Sequence, residues 1–189
     1  AIIAQAAATS ACLMPGRFFL GLGTGENLNE HILGDRWPTW DVRAEMFEEA
    51  VAIIRALWEG DELSHRGLHY EVENARLYTL PDLLPEIIVA AAGPKAADLA
   101  GRTGDGLCVT SPNSDTVDAF YDAGGPGKPR YGQMTVCWAA DETAARQTAH
   151  KYWSFSSLPG ELGQELPTPG HFEQGVKIVT EEMVAKSVV

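Results

Sequence analysis

Short apolar runs of four to seven residues alternate along the chain with longer stretches in which apolar positions recur at helical spacing. Residues 2–14, Ala-rich and stopped by Pro15-Gly16, predict a helix, and residues 17–22, four of six large and apolar, predict a buried strand. A polar loop over 27–38 precedes a helix from about Thr39, placed as its N-cap, to about Trp58, with Asp41 in its first turn and Gly60 ending it. Val42, Met46, Ala50, Ile53 and Leu57 form its expected buried face. Residues 63–80, split by Arg66-Gly67 and Glu73-Asn74, predict a hairpin-like excursion. A second buried strand follows at 87–92, then a helix from Pro94 to about Arg102 and a third strand at 107–110. Further on come a short helix at 115–122, a fourth strand at about 133–139, and a helix from Asp141 to Trp153. A long irregular loop is expected over 154–170, a last helix starts at Thr180, and a further strand is expected to begin at Val188-Val189.

Strands alternating with helices in this way predict βαβ units and a parallel sheet. A dinucleotide fingerprint fails on spacing: begun at Gly21 it meets Glu26, and begun at Gly23 it meets Leu28, where glycine is required. A phosphate loop fails too, because no Lys-Ser or Lys-Thr follows these glycines. A closed (β/α) barrel takes about 250 residues. The α/β class expected is therefore a partial (β/α)8 TIM barrel, about strands four to seven plus the start of the eighth, in a single incomplete domain over 1–189. The opening without Met, inside a helix, and the close as a strand begins predict a piece of a longer polypeptide.

Charge and cysteine content narrow the partners. Fourteen Lys and Arg stand against 26 acids, a formal net charge of -12, which speaks against nucleic acid and anionic membrane surfaces. Cys12, Cys108 and Cys137 are odd in number and widely separated, so neither a disulfide framework nor a zinc pattern is present, and a reducing, cytoplasmic setting is expected. The first 14 residues lack a basic start, are interrupted by Gln5, Thr9 and Ser10, and are too short to span a bilayer.

The chemistry concentrates where strands end. Gly21, Gly23 and Gly25 alternate at the close of the first long strand and let main-chain N–H groups approach a flat or anionic ligand, with Glu26 and Asn29 just beyond. Gly93-Pro94 starts a helix at the end of the second strand, which favours an anion, and Thr110-Ser111 closes the third. His65 and His69 lie four apart, but Gly67 denies them the helix a metal site would need, so they are placed on the hairpin surface. Cys108 is placed in the core, as are Trp40 and Trp58, while the role of Trp37 is left open.

Taken together, Gly16-Arg-Phe-x-Leu-Gly-Leu-Gly-Thr-Gly-Glu26 with Asn29, then Val89-Ala-Ala-Ala-Gly-Pro94, then Ala100-Gly-Arg-x-Gly-Asp-Gly106 ending at Thr110-Ser111, resemble the luciferase-like flavin and deazaflavin oxidoreductases. The branch most resembled contains deazaflavin-dependent glucose-6-phosphate dehydrogenase. The resemblance implies a TIM barrel using coenzyme F(420), with the site at the strands' C-terminal ends. It implies that Thr24, Gly25, Glu26 and Asn29 lie against the coenzyme, with Glu26 as an acid/base. Ala90, Ala91, Ala92 and Gly93 would hold its tail near the phosphate, with Thr110 alongside. Charge screening over about 8 Å leaves room for local groups, Lys95 and Arg102 with the helix N-terminus, to favour that anionic tail against the chain's net charge. An FMN-dependent monooxygenase of the same superfamily is the alternative, and a non-catalytic, degenerate barrel subunit is a second. Relatives are commonly homodimers.

Two departures bear on the substrate. Sugar-phosphate enzymes of the family place cations just after the Thr-Ser pair, in the long loop and near the last helix. The corresponding places hold Asn113, a stretch from Leu158 to Pro169 without Lys or Arg, and Ser187. A phosphate dianion desolvated there would lack partners, at several kcal/mol. The expected substrate is therefore a small alcohol, ketone or enone rather than glucose 6-phosphate. The family's early Asp-His pair and Trp precede the region covered by this sequence.

Overall fold

In the computed structural model, residues 1–110 and 113–188 are described. They fall into two compact units. The first comprises 1–24, 39–109 and 113–131. It contains α1 (Ile2–Leu13), β1 (Leu20–Leu22), α3 (Trp40–Trp58), the hairpin β2 (Leu63–Arg66) and β3 (Glu71–Ala75), β4 (Ile87–Ala90), α4 (Pro94–Thr103), β5 (Gly106–Val109) and α5 (Ser114–Asp122), and it ends within β6 (Arg130–Gly132). The second comprises 25–38, 110–112 and 132–189, with α2 (Asn27–Glu30), α6 (Glu142–Trp153), α7 (Leu162–Glu165), α8 (Pro169–Gly175) and α9 (Glu181–Val184).

The main sheet runs β1-β4-β5-β6, so its strands neighbour one another in chain order once the hairpin is set aside. The β1–β4 and β4–β5 pairs are parallel, with Leu20 opposite Ile87, Leu22 opposite Val89, and Ala90 opposite Cys108. This order has no reversal point of the doubly wound kind. Ile87, Ile88, Val89 and Leu107 are almost wholly buried, as expected of strands covered on both faces.

Helix α3 supplies the largest part of the first unit's core. Phe47, Val51, Ile54, Leu57 and Trp58 are buried on it, and the Trp58 indole donates to the Ala4 carbonyl at 2.9 Å. The stripe expected through Val42, Met46 and Ala50 is thus rotated. Only Ile53 and Leu57 of that set are buried, and Val42 is exposed, because the two bulky aromatics Phe47 and Trp58 decide which side faces inward. Thr39 is the N-cap by backbone geometry but makes no side-chain capping bond. Gly60 follows the helix at φ +87°, where other residues are strained. Against α3 pack Ala4, Ala7 and Ala8 of α1, together with Ile87, Val89 and Leu107 from the sheet.

At the N-terminal ends of the central strands a polar tie joins three elements. Asp105 accepts from the Ile87 amide at 2.8 Å and from the Arg55 guanidinium at 2.9 Å, and Arg55 also donates to the Thr103 carbonyl. The expected hairpin is present as an antiparallel pair with a register shift between Leu63 and His65. Its turn is held by one carboxylate. Glu49 of α3 accepts from His65 Nε2 at 2.9 Å and from the amides of Leu68, His69 and Tyr70 at 3.0–3.1 Å. Desolvation pushes this carboxyl up, but the bonds from His65, His69 and Tyr70 and the charge of His65 outweigh it, bringing Glu49 to about 2.

The second unit is built around Ala149, Leu158, Val179, Val184 and Val188. Its helix starts are capped by side chains: Asp141 accepts from the Ala144 amide, Thr168 from His171 and Thr180 from Met183.

Three further expectations are corrected. No strand occupies 133–139. The fourth strand of the sheet is Arg130–Gly132, and although Met134, Val136 and Trp138 alternate as a strand would, all three are exposed and no backbone ladder runs through them among the described residues. Residues 154–170 are not one irregular loop, since they hold a 3-10 turn at Ser154–Ser157, α7 and the start of α8. The closing strand is absent at Val188, which is buried without strand structure, and Val189 lies outside the described residues. No helix among the described residues is long and apolar enough to cross a membrane.

Candidate active site

In the first unit the C-terminal ends of β1 and β4 come side by side. The parallel register that sets Leu22 opposite Val89 brings Gly23 next to Ala90, and a Cβ built on Gly23 would stand 3.7 Å from that of Ala90. Ala91, buried, donates its amide to the Cys108 carbonyl at 2.9 Å, which continues the β4–β5 ladder one step past the strand. Ala90 and Ala92 are exposed and Gly93 is half-buried. Five rim positions, Gly23 and the consecutive 90–93, therefore carry nothing larger than a methyl group, and the main chain is open to a flat ligand.

Gly93 is the N-cap of α4, with extended backbone, and Pro94 opens the helix. Proline has no N–H, and Ala97 is the first amide to find an acceptor, at the Gly93 carbonyl. Among the described residues the amides of Lys95 and Ala96 meet no acceptor, so they can take a partner from outside the helix. Thr24 and 90–93 thus share this unit's strand ends.

The second unit holds Gly25, Glu26, Asn29 and Thr110. Gly25 has φ +85°, the left-handed region, and an added Cβ would stand 3.4 Å from Glu30 Cγ and 3.4 Å from Trp37 Cη2. This gives Trp37 a place beside the glycine turn. Glu26 is the extended N-cap of α2, its side chain exposed, and Asn29 donates to Glu26 Oε2 at 3.4 Å. A carboxylate at a helix start, with an amide side chain one turn on, is a group that can hold or release a proton at Oε1 or Oε2 in contact with solvent or ligand. Thr110 follows β5 directly and is exposed.

The remaining polar candidates are accounted for elsewhere. Arg102 sits in the last turn of α4, away from its N-terminus, and is bound to Asp98 at 2.8 Å and to Glu48, which hold it protonated. It is therefore not a cation for an anion at the start of α4, and Lys95 is the basic residue in that first turn. His65 is bound to Glu49 and His69 to Glu45, and no group of three metal-ligating side chains occurs among the described residues. Cys108 is a half-buried strand residue, Trp58 is in the core, and Trp40 lies under the Arg43 guanidinium.

Of the three places where sugar-phosphate enzymes carry cations, Asn113 spends its side chain capping α5 at the Asp115 amide, and Ser187 bonds the Val184 carbonyl and the Ser157 hydroxyl. Ser111 and Pro112, just before Asn113 in sequence, lie outside the described residues. One contact had no signature in the sequence: Asn27 Nδ2 donates to the Glu165 carbonyl at 2.8 Å, across 138 positions.

The family model for luciferase-like monooxygenases matches residues 1–189. An F(420)-dependent glucose-6-phosphate dehydrogenase of Mycobacterium avium is 34% identical over 200 residues, covering 98% of this chain and 59% of that protein. One of the same name from Beutenbergia cavernae is 47% identical over 110 residues, covering 58% of this chain and 33% of that protein. The chain thus spans about three-fifths of the first relative's length. Among solved structures, an F(420)-dependent secondary alcohol dehydrogenase in complex with an F(420)–acetone adduct superposes with a TM-score of 0.89 at 28% identity, over 100% of this chain and 60% of that one. An F(420)-dependent tetrahydromethanopterin reductase of Methanopyrus kandleri gives 0.70 at 17% identity, over 97% and 64%, a likeness of fold. By the full-length match to the family model and the glycine- and alanine-lined strand ends together, this chain belongs to the luciferase-like monooxygenase family.

Proposed function

We propose that the protein carrying this chain is a coenzyme F(420)-dependent oxidoreductase that moves a hydride between the deazaflavin and a small alcohol, ketone or enone. The observation that carries the proposal is the side-by-side placement of Gly23 and Ala90 at the C-terminal ends of adjacent parallel strands, beside a helix start capped by Gly93. A methyl-lined rim suits a planar ring and backbone contacts, and the open amides at the start of α4, with Lys95, suit a phosphorylated tail. The residues present fit the coenzyme on those grounds. Thr24, Gly25, Asn29, Ala90, Ala91, Ala92, Gly93 and Thr110 would hold it. The deazaflavin supplies the ring carbon that exchanges hydride. The chain's own part is to bind and orient, and to hold a proton at the Glu26 carboxylate. The family model's unbroken match over 1–189 supports a single domain, and the 59% share of the relative's length supports reading it as an incomplete barrel.

Support for a neutral substrate comes from Asn113 and Ser187, whose side chains are engaged within the fold, and from a 158–169 stretch without Lys or Arg. The solved alcohol dehydrogenase resembles this chain over its whole length, whereas the curated relatives act by name on glucose 6-phosphate. The two substrate classes are separated by assay with isopropanol and with glucose 6-phosphate. Turnover of the sugar phosphate alone refutes the neutral-substrate reading. Copurified FMN with oxygen consumption, in place of a deazaflavin, refutes the cofactor assignment. Glu26→Gln should lower turnover about 10²-fold, and unchanged turnover removes Glu26 from the chemistry.

A further inference from the structure

Helix α2 is a single turn of four residues, Asn27–Glu30, too short to hold itself in water. It is nevertheless the element that carries the Glu26 N-cap and Asn29. What fixes it is Asn27. Its side-chain amide donates to the Glu165 carbonyl at 2.8 Å, at the C-terminus of α7, and its own carbonyl accepts from His31 Nδ1 at 2.9 Å, which pins the following 3-10 turn. All of these residues lie within the second unit, and Asn27 is half-buried. α7 is likewise a single turn, closed by Glu165 and Leu166 amides onto Glu161 and Leu162. Two single-turn helices are thus joined by one side chain.

We propose that Asn27 is a positioning residue that locks the Glu26 turn to the 162–165 turn, so that the two order and open together. The proposal rests on the reading of Glu26 as the acid/base. An aspartate at 27 keeps the shape but loses the donor, and sets an oxygen against the Glu165 carbonyl. The segment between Leu158 and Pro169 then governs where the Glu26 carboxylate stands, although it contributes no cation of its own.

The experiment compares Asn27→Asp and Asn27→Ala with the parent in the full protein that carries this chain, by hydrogen exchange and by steady-state kinetics. In both variants the amides of Glu30, Gly34, Glu165 and Leu166 are expected to exchange about fivefold faster, the loss of one hydrogen bond of ordinary net strength. Gly104, in the first unit, should be unchanged. Turnover should fall about tenfold at unchanged substrate KM, since displacement of a reacting group acts on kcat. Faster exchange at Glu30 and Gly34 with Glu165 and Leu166 unaffected overturns the coupling. Faster exchange at all four with unchanged kcat overturns the positioning role and leaves a structural bond. If the parent protein binds no deazaflavin, the functional reading falls, while the exchange data still decide the coupling.

Discussion

Two glycines two positions apart, Gly23 and Gly25, should respond to the same substitution with opposite signs. Gly25 stands at φ +85°, and an alanine there takes on about 1–2 kcal/mol of left-handed strain. Its Cβ meets Glu30 Cγ and Trp37 Cη2 at 3.4 Å, close but not overlapping. Against this, alanine restricts the unfolded chain and returns about 0.4–1 kcal/mol. The net expectation for Gly25→Ala is a loss of about 1 kcal/mol, or about 2–4 °C in Tm for a chain of this size. Gly23 lies outside the left-handed region, and its added Cβ would meet only the Ala90 Cβ, at an ordinary 3.7 Å. Gly23→Ala should therefore keep or raise stability by about 0.4–1 kcal/mol. Both variants place a methyl group where the coenzyme is proposed to lie. Fluorescence titration with the deazaflavin should show at least about tenfold weaker binding in each, an effect of about 1.4 kcal/mol. Urea unfolding supplies the stabilities and the titration supplies the affinities. If Gly23→Ala proves the less stable of the two, the backbone assignment is wrong. If Gly23→Ala binds coenzyme like the parent, the strand-end cradle is not the binding site.

Other expectations follow from the packing and the charge network. Gly101→Ala would set a Cβ 2.6 Å from the Phe120 carbonyl oxygen and 2.8 Å from Ala123 Cβ. α4 and α5 must part at about 1–3 kcal/mol, and after a gain of about 1 kcal/mol in helix propensity the net loss should be up to about 2 kcal/mol by chemical denaturation. Leu57→Ala removes a side chain with no exposed surface from the middle of the α3 stripe and should destabilise by about 2–5 kcal/mol, read by the same method. Glu49 has its folded-state carboxyl near 2, below its ordinary 4.5, so its hold on the hairpin turn is complete above about pH 5 and fades as pH falls towards 2. Amide shifts of Leu68, His69 and Tyr70 should follow that titration, and Glu49→Gln should abolish it.

The sequence was most legible where one local force settles the outcome. Pro15, Gly60 and Gly93-Pro94 end or begin helices as expected, because fixed or unrestricted φ acts without help from distant residues. The buried strands at 87 and 107 announce themselves by unbroken apolar runs. The misplaced face of α3 and the misplaced fourth strand have a different origin. A stripe through Val42 and Met46 is as periodic as one through Phe47 and Val51, and the bulk of Phe47 and Trp58, packed against α1 and the sheet, chooses between them. Alternation at Met134, Val136 and Trp138 likewise promises a strand, but a strand exists only where a neighbour offers its backbone. The candidate site shows the same division. The glycines and Glu26 are visible as a motif, whereas the Asn27–Glu165 bond joins positions 138 apart and leaves no periodicity to detect. Arg102 was misjudged because sequence proximity to Gly93 hid the length of helix between them and the acids, Asp98 and Glu48, that claim it.

Asp105, with Arg55 and the Ile87 amide, fastens the sheet at the ends where the central strands begin, while Gly23 and Ala90 to Gly93 stand where strands finish. Anchorage and the proposed coenzyme cradle therefore occupy opposite poles of the same few strands. Loops at the far pole can be exchanged, lengthened or re-charged during evolution without loosening the anchor, so a lineage can trade one substrate for another while its foundation goes on folding unaltered.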